Sequence, residues 1–166
     1  WVREGGIPKT IERLADKSLR KKILKDIKFE YGPDKILFVG FKNPDLRVYI
    51  GKRLDEVAEI LNKTPAEAMV DLIVEDDSRI QVVYFSMSEE NIAKKMAKPW
   101  VSFCSDAGSF TNEGVFLKQS THPRAYGSFI RVLGKYARDE KVITLAEGIR
   151  RLTSFPAANL KIQKRG

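Results

Sequence analysis

The chain has 166 residues, 43% of them hydrophobic, and 30 Lys and Arg against 22 Asp and Glu give it a formal charge of +8. That length and apolar content suit one packed core and exclude a disordered tail. No apolar run reaches the roughly 18 residues of a membrane span, and the single cysteine, Cys104, excludes an internal disulfide or a cysteine-based zinc knuckle.

The start lacks the charged-then-apolar pattern of a secretory leader, so a cytoplasmic, membrane-free setting is expected. The chain opens Trp1-Val2-Arg3 and closes Lys164-Arg165-Gly166, which reads as a piece cut from a longer polypeptide.

From Ile7 to Phe29 apolar residues recur at helical spacing (Ile11, Leu14, Ala15, then Leu19, Ile23, Leu24, Ile27), which predicts two helices with Ser18 as N-cap of the second. Tyr31-Gly32-Pro33-Asp34 breaks the pattern, and Ile36-Leu37-Phe38-Val39 is a continuous apolar run of buried-strand length. Asn43-Pro44 marks a turn, and Leu54, Val57, Ala58 and Leu61 form a helix stripe.

Thr64-Pro65-Ala66-Glu67 is a capping box: a hydroxyl to bond a free amide, a proline at the first helical position, and a Glu that bonds back to the cap amide. Ile80 to Phe85 reads as a second strand, and Ser88 caps a short helix through Ile92 and Met96 that ends before Pro99. Trp100 to Cys104 reads as a third, buried strand, and Ser105 to Thr121 as a polar loop.

The remainder reads as helix: one from Pro123 or Ala125 carrying Phe129, Val132, Leu133 and Tyr136, one opened by the Thr144-Leu145-Ala146-Glu147 box, and a short turn from Pro156 to Leu160. Trp1, Trp100, Phe85 and the Met residues are expected in the core, as is Cys104. Strands separated by helical patterns indicate α/β architecture, with too few strands to close a barrel.

Asp106 follows the Trp100 run directly, and in parallel α/β barrels functional groups sit at the C-terminal ends of strands. The plain alternative is an Asx-turn or cap carboxylate.

Five ordered blocks weigh against that alternative: Trp1-Val2-Arg3-Glu4-Gly5-Gly6, Gly51-Lys52-Arg53-Leu54, Tyr84-Phe85-Ser86-Met87-Ser88-Glu89-Glu90, Pro99-Trp100 through Asp106, and His122-Pro123-Arg124 through Gly134. In this order they resemble landmarks of the N-acyl-D-amino-acid deacylase (D-aminoacylase) family of the amidohydrolase superfamily. The resemblance implies a partial TIM-barrel-like segment with an inserted small α/β subdomain. Residues 1–98 would hold the helical start and the insert, and residues 99–166 the last barrel strand, the active-site loop and the C-terminal helices.

It implies a zinc-dependent hydrolase of the amide bond in N-acyl-D-amino acids. Asp106 matches the aspartate that takes a proton from the attacking water and returns it to the leaving amine, and is a possible metal ligand. Arg124 matches the arginine that grips the substrate carboxylate, a task suited to a planar, bidentate guanidinium. His122 and Ser105 take supporting or structural places, since one imidazole cannot make a zinc site of three or four ligands.

The family's metal ligands all fall before Trp1, so this chain alone is expected to hold no zinc, to be inactive, and to need the rest of the barrel or self-association. Two departures stand out. Cys104 occupies a position where the family carries a small, glycine-like residue, and the chain stops at Arg165-Gly166 where members continue into a β-rich domain.

The charge offers another reading: a basic module for nucleic acid or an acidic partner, held through Lys17 to Lys28 with Arg150, Arg151, Lys161, Lys164 and Arg165. Asp16, Asp26 and Glu30 interrupt the first cluster, and its lysines fall on polar helix positions, which favours a solvated face. A non-catalytic half of a split polypeptide is a third reading.

Overall fold

The computed structural model describes residues 1–118 and 121–165. The chain packs as two compact units, one from Trp1 to Ser86 with a short 3-10 turn at Gly114–Lys118, the other from Met87 to Asn112 and from His122 onward.

In the first unit α1 (Gly6–Ala15) and α2 (Lys17–Asp26) are separated by Asp16 alone. The N-cap of α2 is Asp16 and not Ser18: its extended backbone brings the carboxylate to the Ser18 N–H at 2.8 Å, and the Ser18 hydroxyl donates to the same oxygen at 2.7 Å. The apolar faces of both helices close over α4 (Pro65–Asp76), burying Leu14, Ile23 and Val70. Lys17, Lys21, Lys22, Lys25 and Lys28 are all exposed.

β1 (Ile36–Gly40) pairs antiparallel with β2 (Gln81–Tyr84), Ile36 opposite Tyr84 and Phe38 opposite Val82. Among the described residues this is the whole sheet. The other edge of β1 is met by the loop before α3 (Leu54–Ile60): the Phe38 N–H donates to the Lys52 carbonyl at 3.0 Å, and the Gly51 N–H to the Phe38 carbonyl at 2.9 Å. Gly51 has φ +85°, which a side chain would resist, and this lets the loop double back.

The core beneath this two-stranded sheet is Ile36, Phe38, Phe41 and Leu46 against Leu54, Val57 and Ala58 of α3 and Ala68 and Leu72 of α4. The Thr64 box forms as expected: Thr64 Oγ1 accepts the Glu67 N–H at 3.3 Å, and the Thr64 N–H donates to Glu67 Oε2 at 2.9 Å. Asp76, 1% exposed, accepts the Asn43 N–H at 2.9 Å, so its burial is compensated and the turn at Pro44 is fixed to the end of α4.

The second unit is helical. Ser88 caps α5 (Glu89–Met96), its hydroxyl accepting the Asn91 N–H at 3.2 Å. α6 (Arg124–Arg131) continues without a break as a π-helix, Val132–Asp139. α7 (Leu145–Leu152) begins at the Thr144 cap and α8 (Ser154–Asn159) follows at once. Glu147 does not complete the second box; its carboxylate turns to Arg150 at 2.7 Å and Arg151 at 3.0 Å.

Met96, Val132, Tyr136, Ala137 and Ile143 form the core of this unit. Glu89 accepts from Arg131 at 2.7 Å, Lys135 at 2.6 Å and the Tyr136 hydroxyl at 2.7 Å, tying the start of α5 to the π-helix.

Several expectations fail. Trp100 to Cys104 forms no strand: Trp100 lies in a turn closed by the Val101 N–H donating to the Lys98 carbonyl at 3.2 Å, and the segment joins no sheet. The carbonyls of Lys98, Pro99 and Val101 are taken by arginine side chains instead of a neighbouring strand. Trp1, Phe85, Met87 and Trp100 are exposed, at 46, 47, 64 and 70%, and Cys104 is exposed as well. Trp1, Trp100 and Phe85 each lie beneath a cation (Lys22, Lys98 and Arg53), which shields one ring face without a core around it. Residues 119 and 120 of the predicted loop, and the terminal Gly166, lie outside the described residues.

Candidate active site

The candidate residues lie on two parts of the second unit, the irregular segment after α5 and the entry to α6. Phe103, half-buried against the Met96 core, is the last apolar anchor before the loop that carries Asp106. Beyond it the chain turns on itself: Cys104 Sγ accepts the Asp106 N–H at 3.3 Å, and Ser105 Oγ accepts the Ala107 N–H at 3.3 Å.

Both are short side-chain-to-backbone turns, the local chemistry that lets polar residues replace ladder bonds. Asp106 sits at φ +50°, left-handed backbone that Asp adopts more readily than most residues.

That corner presents the Asp106 carboxylate to solvent, 86% exposed, with Oδ2 2.9 Å from Arg124 Nη1. Arg124 opens α6. Its backbone N–H donates to His122 Nδ1 at 3.0 Å, so the imidazole takes the place of a capping side chain and presents its other nitrogen as the N–H. Partial burial, with the Arg124 charge beside it, holds His122 below the usual imidazole range and therefore neutral near pH 7. The Tyr126 hydroxyl donates to the Thr111 carbonyl at 3.0 Å, fastening the loop to the first turn of α6.

The structure thus brings Asp106, Arg124 and His122 together, while the Ser105 hydroxyl is engaged with its own turn. In this geometry Arg124 and Asp106 neutralise one another at an exposed site, where an ion pair contributes between zero and about 1 kcal/mol. A carboxylate ligand can therefore displace Asp106 from Arg124 at little cost.

Among the described residues no group of three His, Cys, Asp or Glu side chains is close enough to hold a metal ion. His122 uses Nδ1 for the helix start, and Asp106 has a guanidinium as its neighbour. The residues present do not fit a zinc site.

Arg150 and Arg151 were read as surface cations, yet Arg151 is 2% exposed and both grip the segment leading to Asp106. The one hint in the sequence is that Arg151 lies one turn beyond Glu147, a spacing that allows an ion pair but does not say which face is buried.

No protein-family profile matches the chain. Curated relatives do. An N-acyl-D-glutamate deacylase of Alcaligenes xylosoxydans xylosoxydans is 32% identical over 84 residues, 51% of this chain and 16% of the relative. A D-aminoacylase of the same organism is 30% identical over 116 residues, 70% of this chain and 22% of the relative.

Among solved structures, a D-aminoacylase described as defining a novel subset of amidohydrolases superposes with a TM-score of 0.63 at 25% identity, over 79% of this chain and 25% of that one. The N-acyl-D-glutamate deacylase from Bordetella bronchiseptica, solved with zinc and a phosphonate mimic of the tetrahedral intermediate, gives a TM-score of 0.63 at 24% identity, over 89% of this chain and 27% of that one. A further D-aminoacylase structure concerns a binuclear metal center.

The fold is therefore that of a segment of the amidohydrolases. Within that class the chain is a homologue of the D-aminoacylases and N-acyl-D-glutamate deacylases. It spans about a quarter or less of the length of the relatives it matches.

No helix among the described residues is long and apolar enough to cross a membrane.

Proposed function

We propose that this chain is the C-terminal barrel segment of a zinc-dependent hydrolase that cleaves the amide bond of N-acyl-D-amino acids. Residues 99–166 supply the active-site loop, and residues 1–98 the helical start and inserted subdomain. The observation that carries the reading is the pairing of Asp106 with Arg124 at 2.9 Å, on residues that lie in the blocks resembling the family.

Amide hydrolysis needs a base for the water and an acid for a poor amine leaving group, and one carboxylate can serve in both roles in turn. Asp106, in reach of solvent, accepts the proton of the attacking water and returns it to the amine nitrogen. Arg124 leaves Asp106 for the substrate carboxylate and holds it with two parallel N–H bonds, which fixes the chiral centre relative to the scissile carbonyl. His122, neutral and bonded to the Arg124 amide, keeps the start of α6 aimed at the loop.

The zinc that these relatives carry is held by residues outside these 166, together with the rest of the barrel, and the chain alone is inactive. The basic face of α2 serves solvation, since its lysines stand on the polar side of an amphipathic helix whose other side is packed.

The test is release of free amino acid from N-acetyl-D-amino acids by the protein carrying this chain. Asp106→Asn lowers kcat by about 10²–10⁴-fold, the usual worth of a general acid–base, and Arg124→Gln raises KM with a smaller effect on kcat. Turnover unchanged by Asp106→Asn, or a preference for the L-enantiomer, overturns the reading.

A further inference from the structure

We infer that Arg151 is a positioning residue for Asp106: its buried guanidinium clasps the Lys98–Phe103 segment to α7 and so fixes the base of the active-site loop. The inference rests on the catalytic reading of Asp106, and it concerns a residue that makes no contact with that carboxylate.

A guanidinium is costly to bury unless its charge is compensated. Arg151 is 2% exposed, and its head group meets two carbonyls, a carboxylate and a ring. Nη1 donates to the Lys98 carbonyl at 2.7 Å and to the Val101 carbonyl at 3.4 Å. Nε, without a hydrogen-bond acceptor among the described residues, lies 3.0 Å from Glu147 Oε1 as an ion pair. The face of the group lies 5.3 Å from the centre of the Phe103 ring.

Arg150 takes one of the two carbonyls between those of Lys98 and Val101, that of Pro99, at 3.3 Å. Three carbonyls of this turn are thus met by two adjacent side chains of one helix, that of Lys98 accepting the Val101 N–H as well.

The consequence is geometric. Phe103 is three residues from Asp106, so with Phe103 held the Asp106 Cα is confined to within about 10 Å of it. The Cys104 and Ser105 turns shorten that reach further, and Arg124 meets the carboxylate from α6. Without the clasp the anchor itself moves, and the carboxylate loses its fixed distance from Arg124. A misplacement of about 1 Å at a reacting group can cost on the order of 100-fold in rate.

A lysine cannot replace this arrangement, because a point charge does not bridge two carbonyls, a carboxylate and a ring at once.

The test combines a local conformational readout with kinetics. Chymotrypsin cuts after Trp100 and Phe103, and its rate on the folded 166-residue chain reports how firmly the segment is held. Arg151→Met is expected to accelerate those cuts at least fivefold while the cooperative thermal transition is kept, and Arg151→Lys to give an intermediate acceleration. In the protein carrying the chain, Arg151→Met is expected to lower kcat tenfold or more with KM within twofold, and Arg151→Lys to recover only part of it.

Cleavage at the wild-type rate in a folded variant overturns the inference. Loss of the cooperative transition in both variants also overturns it, because Arg151 would then hold the whole unit and not the segment. Failure of the catalytic reading is seen separately, as turnover indifferent to Asp106→Asn, while the cleavage rates stand by themselves.

Discussion

Replacing Glu89 with Gln tests the electrostatic joint between α5 and the π-helix. Hydrogen bonds from Lys135 and then Tyr136, with Arg131 adding to them, depress the Glu89 carboxyl from 4.5 to about 2. Taken alone, such a depression corresponds to about 3 kcal/mol of pH-linked stability. The side chain is 56% exposed, so solvent screening brings the expected figure nearer to about 1 kcal/mol.

The sign follows from the direction of the shift. A carboxylate that binds its proton less readily in the folded state stabilises that state above the unfolded pKa, and the contribution disappears as pH falls from about 4.5 to about 2. Urea unfolding of wild type and Glu89→Gln should therefore differ by about 1 kcal/mol at pH 7 and converge as the pH is lowered through that window. Equal stabilities at pH 7, or a difference that does not shrink on acidification, would refute the assignment of the depressed carboxyl to this cluster.

Leu54→Ala empties a site that is 1% exposed in the first unit, and should cost about 2–5 kcal/mol in urea unfolding; a loss under about 1 kcal/mol would mean the α3 core is not packed as described. Cys104, exposed at the tip of its turn, should react with one equivalent of Ellman's reagent in the native chain, and a thiol that appears only after denaturation would contradict the loop geometry.

Local signals carried well where they are self-contained. The Thr64 box needs only residues within one turn of helix, and it forms as read, as do the Ser88 and Thr144 caps. Ser18 shows the limit, since Asp16, two residues earlier, offers a stronger acceptor for the same free amides. The apolar runs at Ile36 and Ile80 became strands because each found the other, whereas the equally apolar Trp100 run found arginine donors and no strand.

Strand propensity says what fits a pleated surface and nothing about whether a partner arrives. The family resemblance singled out Asp106, Arg124 and His122 as candidates, and the structure adds that they lie close together. Arg151 was hidden because a cation in an amphipathic helix looks alike on either face until its packing is known.

The two-stranded sheet leaves one side of β2 without a neighbour among the described residues, next to Tyr84 and Phe85, which are 58 and 47% exposed. Such a margin invites another polypeptide to add itself as a further strand. The guanidinium of Arg53, on the loop that meets the opposite edge of β1, lies 4.7 Å from the centre of the Phe85 ring and shields one face of that ring, not the margin of β2. What limits such an addition is the brevity of β2, whose four residues offer an incoming strand few backbone partners.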